Sequence, residues 1–576
     1  MTQVQGFSDK VGFIWSVADL LRGDYKAHEY GQVILPLTVL RRLDCVLEPT
    51  KAAVIARAAD LAGKIENVEP ILLRAAGQPF YNTSPLGFAR LLDDPGNVAG
   101  NLRTYIAGFS TGAVEVLDRY GFDNQITRLD NAGLLFHVVS RFADVDLHPD
   151  AVPNGAMGYI FEELLRKFSE MSNETAGEHF TPREVIRLMV NILFSEDDDL
   201  LRGGSPVRTM FDCACGTGGM LTGGQEHLAG LNPKARLEVF GQELNPETWA
   251  IARSDLMIKG QDPARIRLGN SLSADEFGGK RFDYMIANPP FGVDWKRIQK
   301  QLTDEQNQLG DNGRFGAGLP RVSDGSLLFL QHLMSKMKPA SEGGSRIAIV
   351  FSGSPSFSGG AGSGESEIRR WIIENDMLEA VVALPDQLFY NTGISTYFWV
   401  VTNRKADHRK GKVVLLDARG EWAKMRKTLG DKRKYLTDEH VQLVTRLYHD
   451  AMDTDDERVK VFENADFGYQ RITVERPKLG DEGKPQRNRK GQVPDPDLRD
   501  NENVPLTENV DDYIKREVLP HVPDAWVDTT KTKIGYEVPF TRHFYRYAAP
   551  RPLADIDADI VRVEMEIQQV LDQVAR

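Results

Sequence analysis

The sequence predicts an α/β protein in three parts: a helical N-terminal domain, a doubly wound parallel-sheet domain, and a helical C-terminal tail. Three observations predict it. Apolar residues recur at helical spacing through the first 150 residues, short β-branched runs alternate with helical segments from about 155 to 470, and a heptad stripe closes the chain. The 576 residues, 41% hydrophobic and 27% charged, are ample for several globular cores.

Residues 1–150 read as a helical packing domain. Phe13, Ile14, Val17, Leu20 and Leu21 form one stripe; Val33, Ile34, Leu37, Leu40, Leu43 and Leu47 form a second, stopped by Pro49. Residues 151–475 read as the sheet domain. Strands are expected at 207–212, 237–241, 266–268, 282–287, 346–351, 380–384 and 396–401, and alternation with helices predicts parallel pairing through crossovers. The run GSPSFSGGAGSG (353–364) interrupts this pattern; it lacks the Gly-Lys-Ser/Thr ending of a phosphate loop and is expected to be mobile. Residues 476–510, rich in Pro, Gly and charge, read as a polar linker or arm. In the tail, 511–576, Ile556, Ile560, Val563, Ile567, Val570 and Val574 are spaced 4, 3, 4, 3, 4. Such a stripe covers its own core or pairs with a partner's helix; docking to a partner is the expectation, since little else follows the linker.

A net charge of −13 argues against a surface that grips nucleic acid broadly. Any such role needs a local basic patch, with 295–297 and 314–321 as candidates, or a partner's contacts. No apolar run approaches the ~18 residues of a membrane span, and no leader is read at the N-terminus. Three cysteines cannot make a disulfide framework, so a reducing cytoplasm is expected.

Chemistry is concentrated in three motifs. In FDCACGTGGML (211–221) a strand runs into a turn with Gly216, Thr217 and Gly218, and a helix should follow. The spacing is not that of a dinucleotide fingerprint. An acid at the strand end, Asp212, and no basic residue in the turn suit a ligand bearing an amine and no pyrophosphate. The amino-acid end of S-adenosylmethionine is such a ligand. Cys213 and Cys215 lack a second pair for zinc, and no metal is expected. In VFGQELN (239–245) Glu243 stands one β-α-β step later, where ribose hydroxyls are accepted. Asn270 and Ser271 follow a third strand, with Asn270 placed to bond an adenine ring.

The third motif, DYMIANPPFG (283–292), is the most specific. The lone pair of an exocyclic amine is delocalised into the base. Two oxygen acceptors aimed at its hydrogens, the Asn288 side chain and the Pro289 carbonyl, localise it for attack on a sulfonium methyl. Pro289 and Pro290 fix the backbone, and Phe291 offers a stacking face for a base turned out of a duplex.

In their order, GEHFTPRE (177–184), the 212–221 motif and NPPF (288–291) resemble N6-adenine DNA methyltransferases, and more narrowly the modification subunit of type I restriction-modification systems. ADLLRG (18–23), LRRL (40–43), IRRWIIEN (368–375) and ALPDQLFYNTGI (383–394) resemble further parts of that family, so the likeness spans about 1–475. The resemblance implies an S-adenosylmethionine-dependent methyltransferase domain over 151–475. Phe180, Thr181, Pro182, Asp212, Gly216, Gly218 and Glu243 would lie by the cofactor, and Asn288, Pro289 and Phe291 would hold adenine. Asn270 departs from the aspartate common among related enzymes. The resemblance also implies partners: a specificity subunit flanked by two copies of this chain, double-stranded DNA with a flipped adenine, and a nuclease subunit left open. The alternatives are a stand-alone adenine methyltransferase, which should carry its own recognition domain, and a protein glutamine methyltransferase, whose chains are shorter and whose loop usually ends in Tyr.

Overall fold

The computed structural model describes residues 7–171, 181–197, 201–390, 392–429, 431–480, 484–488, 491–545, 547 and 552–574. Residues up to 538 form one compact unit, and 539–576 form a second.

The first unit opens with helices from Phe7–Leu21 to Leu135–Ala143. At their centre lies Gly31–Leu47, buried on nearly every side because its apolar residues outnumber one face. Arg42 on this helix is fully buried. Its guanidinium donates to the carbonyls of Leu147 and Val152, to Asn154 Oδ1, and to the carbonyl of Ile258 at the end of the helix Pro246–Ile258. That single side chain ties the helical region to the sheet domain.

The sheet has nine strands in the order β11-β8-β6-β7-β5-β4-β1-β2-β3. They are β1 (Val207–Asp212), β2 (Arg236–Glu243), β3 (Ile266–Leu268), β4 (Tyr284–Ala287), β5 (Arg346–Phe351), β6 (Leu378–Ala383), β7 (Tyr397–Thr402), β8 (Lys412–Asp417) and β11 (Val459–Glu463). The expectation of parallel pairing holds from β5 through β4, β1 and β2 to β3. It fails at β7, antiparallel to both β5 and β6, and at β11, antiparallel to β8. At β7 the reason is the connection from β6: residues 384–396 contain no helix among the described residues, and a parallel return needs a crossover. Strands β5, β6 and β7 are buried along their whole length, as befits strands covered on both faces.

Two charged residues sit inside this apolar slab. Arg346 of β5 makes a two-pronged pair with Glu379 of β6 at 2.9 and 3.0 Å, and both are 1% exposed. Tyr448 bridges them, accepting from Arg346 and donating to Glu379. Arg346 Nε also donates to the carbonyl of Leu193, fastening the helix Arg183–Phe194 onto the sheet.

The GSPSFSGGAGSG run is tied down. Val538 N–H donates to the Ser356 carbonyl, and buried Arg369 donates to the carbonyls of Pro355, Gly359 and Tyr536. Gly364 is obligatory, since a Cβ there would sit 1.7 Å from the Leu319 carbonyl oxygen. The 476–510 segment, expected as a linker, contains a strand. Asp500–Pro505 pairs along β12 (Gly468–Glu475), which also takes Trp526–Val527 and Lys533–Tyr536. In Asp500–Pro505 only Val504 is buried, so its composition reads as loop.

In the second unit the helix Leu553–Val574 carries the heptad stripe, and Ile556, Ile560, Val563 and Ile567 are all exposed.

Glu379→Ala leaves the Arg346 charge buried without its partner. Such a loss costs about 3–5 kcal/mol, so the urea midpoint of the variant should fall well below wild type; an unchanged midpoint would remove the pair from the list of core supports.

Candidate active site

Loops leaving the carboxyl ends of β4, β1, β2 and β3 frame a cleft of about 940 Å³. Of the residues expected at the site, Thr181, Asp212, Gly216, Thr217, Glu243, Asn270, Ser271, Asn288, Pro290 and Phe291 line it. Pro182, Gly218 and Pro289 are not on the lining. Pro182 starts the helix Arg183–Phe194, Gly218 starts Gly219–Leu231, and Pro289 is buried behind Asn288. Phe180 lies outside the described residues.

Asp212 closes β1, and its Oδ1 accepts from the Ala214 N–H at 3.0 Å. Burial pushes its carboxyl up to about 8; the Ala214 hydrogen bond opposes this and the Glu243 charge adds to it. Among the described residues no cation pairs with it. The chain then turns through Gly216 and Gly218 at φ of +53° and +85°, a region that penalises any Cβ. Burial pushes the Cys213 and Cys215 thiols well up, and among the described residues no cluster of three metal-ligating side chains occurs.

Glu243 at the end of β2 does more than the sequence indicates. Its Oε2 accepts from the Gly216 N–H and its Oε1 from the Asn245 N–H, both at 2.8 Å. One carboxylate thus holds the glycine turn against the next loop, and its remaining lone pairs stay available for hydroxyl donors. Asn245 caps Pro246–Ile258 by accepting from Glu247 and Thr248; its Asn-Pro-Glu start signal was readable in the sequence. Leu244, exposed beside the cleft, was missed because an isolated leucine carries no pattern. At β3, Asn270 Oδ1 accepts from the N–H groups of Leu272 and Ser273, and Ser271 Oγ donates to the Cys213 carbonyl.

Asn288 follows β4. Its Nδ2 donates to Thr181 Oγ1 at 3.0 Å, and its Oδ1 is buried without a partner among the described residues. An unpaired buried carbonyl costs about 1–3 kcal/mol, so this oxygen awaits a donor. Phe291 meets Phe389 edge-on, with ring centroids 6.4 Å apart. Thr392 and Ile394, from the same loop as Phe389, complete the lining.

The donor set fits S-adenosylmethionine: a buried acid without a cation for the ammonium group, a strained glycine turn open to backbone approach, an acid one strand over for hydroxyls, and an orphaned acceptor for the substrate amine. Of the two basic stretches, Arg314 pairs with Glu305 and donates to the carbonyls of Ser271 and Leu272, while Arg321 pairs with Glu365. Both serve the fold. Lys296 and Arg297 stay exposed, with Arg297 at the cleft.

A family model described as N-6 DNA Methylase matches residues 153–468, and one described as HsdM N-terminal domain matches 11–142. The type I restriction enzyme MjaIX methylase subunit of Methanocaldococcus jannaschii is 26% identical over 460 residues, 77% of this chain and 78% of that protein. The type I restriction-modification methyltransferase subunit of Streptococcus thermophilus superposes with a TM-score of 0.61 at 20% identity, covering 80% of this chain and 96% of that one. A chain from a structure of type I R-M complex assembly covers 99% of this chain and 98% of its own length, with a TM-score of 0.54 at 21% identity. At these identities the two structures speak for the fold.

The Asp212 carboxyl keeps its proton in the folded chain up to about pH 8, whereas an unfolded aspartate loses it near about 3.9. Between those values the folded state binds more protons, so this group's stabilising contribution is present below the lower value and fades as pH rises through the upper one. Asp212→Asn should therefore raise the melting midpoint relative to wild type by several degrees at pH 8 and by far less at pH 5. Parallel melting curves across that range would show that Asp212 ionises normally.

Proposed function

Since the chain belongs to the N-6 DNA methylase family, we propose that it is the methylating subunit of a type I restriction-modification complex, carrying a methyl group from S-adenosylmethionine to the exocyclic N6 of adenine in double-stranded DNA. The observation that supports it best is the buried, unpartnered Oδ1 of Asn288, fixed by Thr181 at the carboxyl end of β4.

The bound cofactor supplies an electrophilic methyl on sulfur. The protein supplies position and polarity. Asp212, Gly216 and Thr217 hold the amino-acid end with Thr181 beside them, while Gly218 and Pro182 set the starts of the helices that follow. Glu243 takes the ribose hydroxyls, and Asn270 and Ser271 border the adenine ring. Asn288 Oδ1 and the Pro289 carbonyl accept the two amine hydrogens of the target base, drawing its lone pair out of conjugation. Pro290 stiffens the loop and Phe291 stacks on the flipped base. The nitrogen sheds one proton as the new bond forms; the methylated amine is acidic enough to release it to water without a dedicated base.

Division of labour follows from charge. A chain of net charge −13 is a poor solitary reader of DNA. We assign site recognition to a separate specificity subunit, with two copies of this chain beside it and the Leu553–Val574 helix as the docking element. Restriction itself belongs to another polypeptide. Among the described residues no helix is long and apolar enough to cross a membrane, and we place the complex in the cytoplasm.

Asn288→Ala should lower methyl transfer at least ~100-fold, the scale of losing one preorganised acceptor, while calorimetry finds cofactor affinity little changed. Full activity would refute the assignment. Removing 553–576 should abolish co-purification with the specificity subunit and leave cofactor binding intact; undiminished co-purification would free that helix from docking.

A further inference from the structure

Strands β9 (Ala423–Leu429) and β10 (Lys432–Tyr435) form a hairpin outside the main sheet. Residues 422–435 hold six basic side chains against a single acid, in a chain that is acidic as a whole. Lys424, Arg426 and Arg433 are exposed and, among the described residues, have no carboxylate partner. Lys424 lies directly opposite Lys434, a like-charged pair in which only Lys434 has a carboxylate, Asp386, among the described residues. Trp422 and Tyr435 expose aromatic surface at its base, with Lys434 Nζ 4.2 Å from the Trp422 ring centre.

An isolated two-stranded hairpin is marginal, and this one is anchored to the active-site loop. Buried Lys432 pairs with Glu184 at 2.6 Å and donates to the Leu388 carbonyl. The N–H of Asp431 donates to the Tyr390 carbonyl, and that of Arg433 to the carbonyl of Gln387, held at a positive φ of 55°. Lys434 pairs with Asp386. The segment so gripped holds Phe389, edge-on to Phe291, and continues into Thr392 and Ile394 of the cleft. Glu184 stands three residues past Thr181, which orients Asn288. The hairpin backbone and the Lys432 and Lys434 side chains therefore support the base pocket, while Lys424, Arg426 and Arg433 stay exposed.

We propose that the β9–β10 hairpin is a DNA-backbone contact, with Lys424, Arg426 and Arg433 meeting phosphates next to the target adenine. This rests on the reading of the chain as a DNA methyltransferase and adds where the duplex is gripped. Phosphate neutralisation releases counterions, so each contact contributes about 0.9 to the slope of log affinity against log salt.

The test uses the full chain in complex with its specificity subunit and a labelled duplex carrying that subunit's binding site with an adenine at its centre. Lys424→Ala/Arg426→Ala/Arg433→Ala should flatten the salt slope by about 2–3 and raise the KM for DNA at least tenfold, while kcat and cofactor affinity hold. Lys424→Arg with Arg426→Lys and Arg433→Lys keeps the charges and should keep the slope, which separates lost contacts from a disturbed fold. A wild-type complex that methylates, paired with a triple variant of unchanged slope, overturns the hairpin's role alone. A wild-type complex with cofactor bound but no methyl transfer to any duplex overturns the methyltransferase reading, and this inference falls with it.

Discussion

A side-chain amide has one oxygen to offer, and where Asn288 points it is decided by Thr181. The hydrogen bond from Nδ2 to Thr181 Oγ1 occupies the donor end of the amide and leaves Oδ1 as the free acceptor. Thr181 in turn stands at the start of Arg183–Phe194, and that helix is held at both ends. Glu184 is tied to buried Lys432, and the Leu193 carbonyl accepts a hydrogen bond from Arg346 in the core of the sheet. The charged pair inside the slab is thus more than a support for β5 and β6. Replacing it with apolar side chains of equal volume would cost little stability in principle, yet would release the far end of the helix that aims the amide.

The motifs legible in the sequence share one physical trait: their residues are constrained by backbone geometry. Gly216 and Gly218 occupy left-handed turns, and Pro289 and Pro290 follow a strand end, so type and spacing advertise them before any coordinates exist. What escaped the sequence is governed by long-range pairing. The composition of β7, Tyr-Phe-Trp-Val-Val-Thr, is that of any doubly buried strand, and direction leaves no mark on such a run. Asp500–Pro505 is polar on both faces because only Val504 meets the small core of Ile472, Val474, Ile514 and Val518. The second task of Glu243, gripping the Gly216 amide, depends on β1 and β2 lying side by side and could not be read from either strand alone.

Charge tells a similar story. On sequence alone Arg314 and Arg321 looked available for phosphate, but long arginines near the surface often serve backbone carbonyls. Arg314 spends its guanidinium on Glu305 and on the loop after β3. Arg42 and Arg369 spend theirs almost wholly on carbonyls, and burial, opposed by nearby acidic groups, lowers their pKa values to about 10. Five donors on one planar group can close several loops that have no strand to bond with.

The cofactor end of the cleft pays for function in a different currency from the substrate end. At Asn288 the cost is an unsatisfied acceptor; at Asp212 it is a carboxyl buried beside Glu243 with no protein cation near it. Both deficits are of the sign that the groups assigned to them in the proposed function would repair, an amine hydrogen in one case and an ammonium charge in the other. A lysine near Asp212 would satisfy the carboxyl in the empty protein and repel the ammonium in the loaded one. On the proposed reading, leaving the acid unpaired shifts that stabilisation from folding to binding.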